Sequence, residues 1–447
     1  TAVDRCRSSR VHVVMFADQH LESLGGAQVS MRLQKRFLER AGHVVTVVAP
    51  RLHRDAPHDP GYLDLPSLAI TPDREYALTW PGARTDRFVD AEMGARLPAD
   101  VVHVQADFWG AFIGHRYAAR HGLPVVHTMH NRVDVGIEAT APFPRVVLRA
   151  LNAWARWALR GTTAARRDPR GYASPAGQSE PPPLRARGAS TARASTDAES
   201  AGAEPPSAAD GWAYLRRLAR LSRAVTAPSG HFARRLERHG VSEAVDVIWN
   251  GIDDDVLDAA LADGHVERRP GRPRFVWLGR MSPEKRLLPF LEAVAVSGID
   301  AEVEIIGGGA QLRAARRAVE RLAPAASIVF SGRLPYAETL RRLADADAVV
   351  QTSIGFETQG MTVFEAASLG TPAVISDPDI AAELGSGTWT VPDATVSALA
   401  ETLRHAAHDI AAGSAVRPDP SIAERFRQSS RTAAMIAVYE RAVSAGR

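Results

Sequence analysis

The sequence contains little cysteine and little lysine, and it lacks long hydrophobic runs. Its single cysteine, Cys6, excludes an internal disulfide and is typical of a reducing compartment. Cysteine and histidine residues nowhere stand at the spacing of a zinc site. No apolar run reaches the roughly 18–20 residues that a membrane helix needs, and the polar stretch 1–10 has no apolar signal core. We therefore expect a cytoplasmic protein.

The composition is that of a soluble globular protein. The 447 residues, 45% hydrophobic and 23% charged, are enough for two or three domains. The net charge of +3 and the isoelectric point near 9.2 are too mildly basic to predict nucleic-acid binding, but they suit anionic substrates or an anionic lipid surface. Almost all the cations are arginines. Because lysine is a compact charge suited to phosphate, the rare Lys285 is a candidate phosphate ligand.

Apolar strand patterns alternate with helical patterns in two blocks. Continuous apolar strands separated by helices predict parallel sheets covered on both faces. We therefore predict two Rossmann-like domains, whose ligand sites lie at the carboxyl ends of strands. The predicted strands are 11–17, 44–49, 101–104 and 124–128 in the first block, and 274–279, 302–306, 328–331, 348–351 and 373–376 in the second. The predicted helices include 28–41, 111–121, 285–295, 310–322 and 336–344.

Residues 161–210 interrupt this alternation. The segment contains no Ile, Val, Met or Phe and is rich in Ala, Ser, Pro, Arg and Gly. It cannot bury enough apolar surface to offset the entropy of ordering, so a disordered insert is predicted. Before it, 143–159 predicts a helix that carries Trp154, Trp157 and several arginines. Packing on a core is the favoured interpretation of this helix, and a basic surface resting on a membrane is the alternative.

The most informative stretch is FETQGMTVFE, which begins at Phe356 and contains Glu357 and Glu365. It follows the predicted strand 348–351 and enters a helical pattern at Met361. Unpaired backbone N–H groups and the helix dipole attract an anion to such a helix start. The two carboxylates can accept hydrogen bonds from sugar hydroxyls. Phosphate donors and hydroxyl acceptors at one loop together indicate a sugar nucleotide.

This E-x7-E spacing resembles that of retaining glycosyltransferases of family four. Four further motifs occur in the family's order: GGAQ from Gly25, TMH ending at His130, NGID from Asn250, and GRMSPEK ending at Lys285. The resemblance extends over nearly the whole chain apart from the insert. It implies an α/β protein of the GT-B fold, with two Rossmann-like domains whose parallel sheets face each other across a cleft.

The resemblance also implies domain bounds and roles for individual residues. It assigns 1–255 to an acceptor domain, 256–419 to a donor domain and 420–447 to a helix that returns to the first domain. His130, Arg280, Lys285 and Glu357 are the implied catalytic residues: the two cations hold the diphosphate, Glu357 a sugar hydroxyl, and His130 the sugar and acceptor. The implied donor-binding set is Gly25, Gly26, Arg280, Lys285, Arg333, Leu334, Glu357, Gly360, Met361, Thr362 and Glu365.

The implied reaction moves a hexose from GDP-mannose, UDP-glucose or UDP-galactose to a lipid or envelope-glycan acceptor, with retention of anomeric configuration. The sequence Glu357-Thr358-Gln359-Gly360 departs from the family's common E-G-F-G and is more similar to actinobacterial mannosyl- and glucosyltransferases of that kind. Contact with the inner face of the plasma membrane is therefore an open alternative for location. We expect no metal and no cofactor, because the acidic groups 253–255 and 345–347 are not placed to hold a donor metal.

Other functions fit the sequence less well. Gly307-Gly308-Gly309 follows a strand as in a dinucleotide fingerprint, but Leu312 stands where the third glycine belongs and no acidic residue ends the next strand. A dehydrogenase is therefore improbable. A sugar-nucleotide epimerase of the same fold remains an alternative, although no acid/base carboxylates around a sugar are identifiable. A non-catalytic sugar-nucleotide binding protein is the other, and the intact Arg280, Lys285, Glu357 and Glu365 argue against it.

Overall fold

Two parallel sheets, one in each half of the chain, organise the computed structural model of the protein. The structure describes residues 10–23, 26–53, 59–71, 74, 76–140, 142–162, 210–262 and 271–445. Apolar clusters lie on both faces of each sheet, where helices cover them. The predicted pair of Rossmann-like domains is confirmed.

The first sheet has seven strands in the order β3-β2-β1-β6-β7-β8-β9, and every neighbouring pair is parallel. Its interior strand β1 is buried along its whole length, as its unbroken apolar sequence predicts. The elements of this half are β1 (His12–Ala17), α1 (Gly26–Arg40), β2 (Val44–Pro50), β3 (Tyr62–Leu65), β4 (Leu68–Ala69), β5 (Ala77–Leu78), α2 (Ala83–Gly94), β6 (Val101–Gln105), α3 (Trp109–His121), β7 (Val125–Thr128), α4 (Val133–Thr140), α5 (Pro144–Ala158), α6 (Gly211–Ala219), β8 (Ala224–Ala227), α7 (Gly230–Arg238) and β9 (Asp246–Val247).

The second sheet has six parallel strands in the order β12-β11-β10-β13-β14-β15. This order reverses between β10 and β13, which makes the carboxyl ends of those two strands the expected ligand crevice. The elements of this half are α8 (Asp254–Ala262), β10 (Arg274–Arg280), a 3-10 turn (Pro283–Lys285), α9 (Leu287–Ser297), β11 (Glu302–Gly308), α10 (Leu312–Leu322), β12 (Ser327–Gly332), α11 (Tyr336–Asp345), β13 (Ala348–Gln351), α12 (Met361–Ser368), β14 (Ala373–Ile375), α13 (Pro378–Leu384), β15 (Thr388–Thr390), α14 (Val396–Ala411), α15 (Ser421–Phe426) and α16 (Gln428–Ser444).

The predicted helix 285–295 is wrong at its start. Lys285 ends a 3-10 turn, and Arg286 takes a left-handed conformation with φ of 54° before α9 begins at Leu287. The Arg286 guanidinium donates to the carbonyl of Ala394 at 2.6 Å, which holds the break in place. Lys285 consequently lies on a turn at the carboxyl end of β10 and not on the face of a helix.

The last helix, α16, packs against the first sheet and not the second. Met435, Val438 and Tyr439 share a buried cluster with residues of β1 and β2, and the Tyr439 hydroxyl lies 2.7 Å from Nδ1 of His103. The chain crosses between the halves at two neighbouring points, because Ile252 and Arg427 form a parallel bridge. The second crossing brings the chain back to the first sheet, so α16 belongs to that part of the fold although it follows the second sheet in sequence.

The helix predicted over 143–159 is present as α5, and it buries one face. Leu148, Leu151 and Ala155 pack in the first core, in line with the favoured interpretation. Of the predicted insert 161–210, residues 163–209 lie outside the described residues. Asp210 is ordered, contrary to the predicted boundary, because its carboxylate caps α6 by accepting from the Trp212 amide at 2.8 Å. Within the described ranges, no helix has both the length and the apolarity to cross a membrane.

Candidate active site

A cavity of about 320 Å³ lies between the two halves, at the carboxyl ends of β10 and β13. It coincides with the reversal of strand order in the second sheet, where open parallel sheets bind their ligands. The first half contributes the start of α1, the end of β7 and the crossover. The second half contributes the turn before α9 and the loop into α12. The predicted site residues that line it are Gly26, His130, Lys285, Glu357, Gly360, Met361 and Thr362.

Lys285 and Glu357 form the charged centre of the cavity. The Lys285 ammonium is in direct contact with Oε1 of Glu357, and the Ser353 hydroxyl donates to the same oxygen at 2.6 Å. Thr352 holds the turn that carries Lys285 in place. Its hydroxyl donates to the Lys285 carbonyl at 2.6 Å and accepts from Trp277 Nε1. A cation and a carboxylate are therefore held side by side in the wall of the cavity.

The start of α12 adds backbone donors to the same wall. Gly360 precedes the helix with φ of 81°, a left-handed conformation that glycine adopts without strain. A Cβ atom at this position would lie 2.8 Å from Cδ1 of Ile380, so there is also no space for a side chain. The amides of Met361 and Thr362 follow directly and belong to the first turn, whose N–H groups have no intrahelical partner.

Several predicted donor ligands lie outside this cavity. The side chain of Arg280 is exposed and donates to Glu284 at 2.8 Å. Glu365 is buried one turn into α12 and accepts from the Tyr336 hydroxyl at 2.9 Å. Burial raises the pKa of Glu365 to about 7, although the Tyr336 hydrogen bond opposes this. Arg333 and Leu334 follow β12, where Arg333 lies beside Gly308 and Leu334 packs on the second core. Gly25 is outside the described residues.

Two family models match the chain. The model described as Glycosyltransferase Family 4 matches residues 24–166 and 199–256, and the model described as Glycosyl transferases group 1 matches 263–414. Their junction falls at the crossover between the two sheets. The chain is a glycosyltransferase that contains both of these units.

Known proteins similar to this glycosyltransferase include one curated sequence relative. The 2-deoxystreptamine N-acetyl-D-glucosaminyltransferase of Streptomyces fradiae is 27% identical over 372 residues, which are 78% of this chain and 74% of the relative.

Solved structures share the fold of this glycosyltransferase. Sucrose-phosphate synthase of Thermosynechococcus elongatus aligns over 96% of this chain and 98% of its own, with a TM-score of 0.64 and 16% identity. Anabaena HepE, solved with UDP and glucose, aligns over 96% of this chain and 100% of its own, with a TM-score of 0.58 and 14% identity. The predicted GT-B fold is confirmed.

The first half of the glycosyltransferase presents His130 to the cavity. Its Nε2 lies 3.1 Å from Oε1 of Gln105, and burial lowers the pKa of His130 to about 4, so the ring is neutral at pH 7. His127 has a structural role, because it is fully buried between His115 and the Ala106 carbonyl. A neutral ring at the cavity wall can exchange hydrogen bonds with a sugar without adding charge.

Asp18 and Asp107 lie at the strand-order reversal of the first sheet. Asp18 accepts from the backbone amides of Asp107, Phe108 and Gly110 and so caps α3. Asp107 is buried and accepts from the Asn131 side chain at 2.6 Å. Neither carboxylate lines the cavity.

Sequence reasoning missed a set of contacts that hold the loop carrying Glu357. The buried side chain of Gln359 accepts from the Asn250 amide at 3.0 Å and donates to the Asn250 carbonyl at 3.2 Å. His231 lies 3.2 Å from the Glu357 carbonyl and is paired with Glu383. The NGID motif pointed to Asn250, but no sequence signal connected His231 or Glu383 to the site.

Proposed function

We propose that this glycosyltransferase moves a hexose from a nucleoside-diphosphate sugar to a lipid or envelope-glycan acceptor, with retention and without a metal ion. The observation that supports it most is the convergence of Lys285, Glu357 and the start of α12 on one cavity between the two halves. The Lys285 ammonium and the backbone N–H groups of α12 can bind a diphosphate, and the Glu357 carboxylate can accept a hydrogen bond from a sugar hydroxyl.

The reaction breaks the bond between the sugar C1 and the β-phosphate oxygen. Negative charge grows on that phosphate, and Lys285 with the Met361 and Thr362 amides stabilises it where it forms. The acceptor oxygen bonds to C1 on the face from which the phosphate departs, and its proton passes to the departing phosphate oxygen. Glu357 holds a sugar hydroxyl, and neutral His130 positions the sugar from the opposite wall.

The donor is best assigned as a UDP-hexose. Anabaena HepE has the same fold and was solved with UDP-glucose, and the relative from Streptomyces fradiae transfers an N-acetylglucosaminyl group. GDP-mannose is the competing donor. Lys285 and the α12 amides are proposed to bind the diphosphate, which UDP-hexoses and GDP-mannose share, so these groups would suit either donor.

Thermal unfolding with nucleotides tests the donor site. UDP at about a hundred times its dissociation constant adds roughly 2.7 kcal/mol to the free energy of unfolding, and we expect this shift to persist in EDTA. GDP, ADP and NAD serve as controls. A shift by GDP alone would reassign the donor, whereas a shift by NAD alone, or one that EDTA abolishes, would contradict the proposed function.

A lipid acceptor is supported by an exposed apolar and basic surface on the first half. Phe143, which precedes α5, and Val146 and Trp157 of α5 are exposed, and the Trp157 ring meets Trp80, which is itself 60% exposed. Exposed arginines flank them on the same helix and after it: Arg145, Arg149, Arg156 and Arg160. Aromatic side chains with arginines suit an anionic lipid surface, and this surface supports the proposed location at the inner face of the membrane.

A soluble aminocyclitol is the second candidate acceptor. The relative from Streptomyces fradiae acts on 2-deoxystreptamine by its name, and it is similar to this chain over 78% of the sequence. A small polar acceptor needs no membrane surface.

Transfer assays with both acceptors separate these two functions. We expect transfer from UDP-glucose to diacylglycerol in vesicles that contain phosphatidylglycerol, and expect Trp157→Ser to weaken vesicle binding several-fold. Val329→Ser, which removes an apolar side chain of β12 that is 56% exposed against 44% for Trp157, is the control. Transfer to 2-deoxystreptamine in solution with no vesicle binding would instead establish the second candidate.

A further inference from the structure

The donor loop Glu357–Gln359 is held by the first half of the chain. The Ser229 hydroxyl donates to the Thr358 carbonyl, and Nε2 of His231 lies 3.2 Å from the Glu357 carbonyl. Ser229 and His231 stand at the start of α7, which leads from the first sheet. The loop therefore reaches across the boundary between the halves for the partners of two successive carbonyls.

Glu383 of α13 fixes His231 in this position. Its carboxylate accepts from Nδ1 of His231 at 2.7 Å, from the amides of Gly230 and His231 at 2.7 and 2.9 Å, and from Trp249 Nε1 at 2.7 Å. Both charged side chains are almost completely buried. A carboxylate at the start of a helix is also favoured by the helix dipole. Because Glu383 binds Nδ1 of His231, Nε2 is the ring nitrogen that faces the loop.

The ring can donate from both nitrogens only when both are protonated and the ring carries a positive charge. Burial lowers the pKa of His231, but the hydrogen bond and charge of Glu383 outweigh this and raise the pKa above its usual value. Burial raises the pKa of Glu383, and the donors around it reverse the shift to a net lowering. A protonated ring donates Nδ1–H to Glu383 and Nε2–H to the Glu357 carbonyl.

We propose that Ser229, His231 and Glu383 form a clasp that positions the Glu357–Gln359 loop against Lys285 and so sets the affinity for the donor. None of the three lines the cavity, so they act as positioning residues through the loop. The inference rests on the proposed function, since it assumes that Lys285 and Glu357 hold the donor. It adds that a wall of the donor site is supported by the other half of the molecule.

The clasp also connects donor affinity to the arrangement of the two halves. If the halves separate, the Glu357 and Thr358 carbonyls lose their partners together, and the carboxylate against Lys285 loses its support. Binding energy from the donor is then spent on restoring the loop, which raises the dissociation constant. The acceptor, which we propose binds the first half, does not depend on this step.

Nucleotide affinity in matched variants tests the clasp. His231→Ala removes the contact with the loop, whereas Arg235→Ala removes a neighbouring bond between α7 and α13, the 2.7 Å pair with Asp379, without touching the loop. We expect His231→Ala to raise the dissociation constants of UDP and GDP about tenfold by calorimetry, equivalent to about 1.4 kcal/mol, and to raise the donor KM but not the acceptor KM. Arg235→Ala should leave all of these at wild-type values.

The outcomes separate the clasp from the donor site itself. If the wild-type protein binds neither UDP nor GDP, the proposed function fails. If it binds one of them and His231→Ala binds it as tightly as Arg235→Ala, the clasp is overturned while the function stands. Should His231→Ala fail to fold, Glu383→Gln applies the same test, because it keeps the volume of the side chain and removes the charge that orients His231. Unchanged nucleotide affinity in a folded Glu383→Gln would equally overturn the clasp.

Discussion

Lys285→Ala is expected to lower kcat for sugar transfer by about 10²–10³-fold, or roughly 3–4 kcal/mol in the activation free energy, as does the loss of one group that stabilises transition-state charge. The ammonium lies at the carboxyl end of β10 in contact with Glu357, where a departing phosphate would lie. Steady-state kinetics with a radiolabelled donor sugar measures the effect, and thermal unfolding verifies that the variant is folded.

Two further variants test whether the loss of activity is specific to the Lys285 ammonium. Arg404→Ala removes one positive charge from an exposed pair on α14 in the same half of the protein, and it should retain full activity. Lys285→Arg keeps the charge in a planar fork and should recover only part of the loss. If Lys285→Ala transferred sugar within about threefold of the wild-type rate, the diphosphate would have to bind elsewhere, and Arg280 would be the next residue to test.

Gly360→Ala is expected to reduce both activity and stability. The left-handed backbone there disfavours any residue with a Cβ by roughly 1–2 kcal/mol, and the added methyl would lie 2.8 Å from Ile380. The start of α12 would have to move to relieve this clash. A displacement of about 1 Å at a reacting centre lowers rates by about 10²-fold. The measurements are the melting temperature and kcat with a saturating donor.

Gly298→Ala is the matched control for this substitution. Gly298, which follows α9 in the same half, has the left-handed conformation of Gly360, with φ of 65°, but a Cβ there meets nothing within 4 Å. Both variants should lose similar stability from backbone strain, while only Gly360→Ala loses most of its activity. Equal activities in the two variants would show that the close approach of α12 to the cavity does not matter for transfer.

The fold follows closely from the sequence where buried strands are unbroken apolar runs. The bounds of β1, β2, β6, β10 and β13 agree with the predicted ranges to within one residue, because burial on both faces leaves one continuous signal. The short strands β3, β4 and β5 were not predicted, because none is buried along its whole length and none forms a continuous apolar run. The break at Arg286 was missed because a non-glycine residue in the left-handed region has no sequence signature.

The candidate site was predictable where its residues belong to local motifs. Lys285, Glu357 and the 360–362 turn were named from sequence, and they line one cavity. The clasp was not predictable, because His231 meets the Glu357 carbonyl across 126 positions and Glu383 across 152. Pairing over such distances is a product of tertiary packing. The exposed orientation of Arg280 likewise depends on its neighbour Glu284, not on the motif that contains both.

The return of α16 to the first sheet has a consequence for biosynthesis. Val13, Met15 and Val47 of that sheet are buried against Met435 and Tyr439, which are synthesised only after the whole second sheet. Domains usually fold as units from the N-terminus during synthesis, but here the first half lacks a covering helix until the second half has been made. Part of its apolar face therefore stays exposed during that interval, when exposed apolar surface favours aggregation.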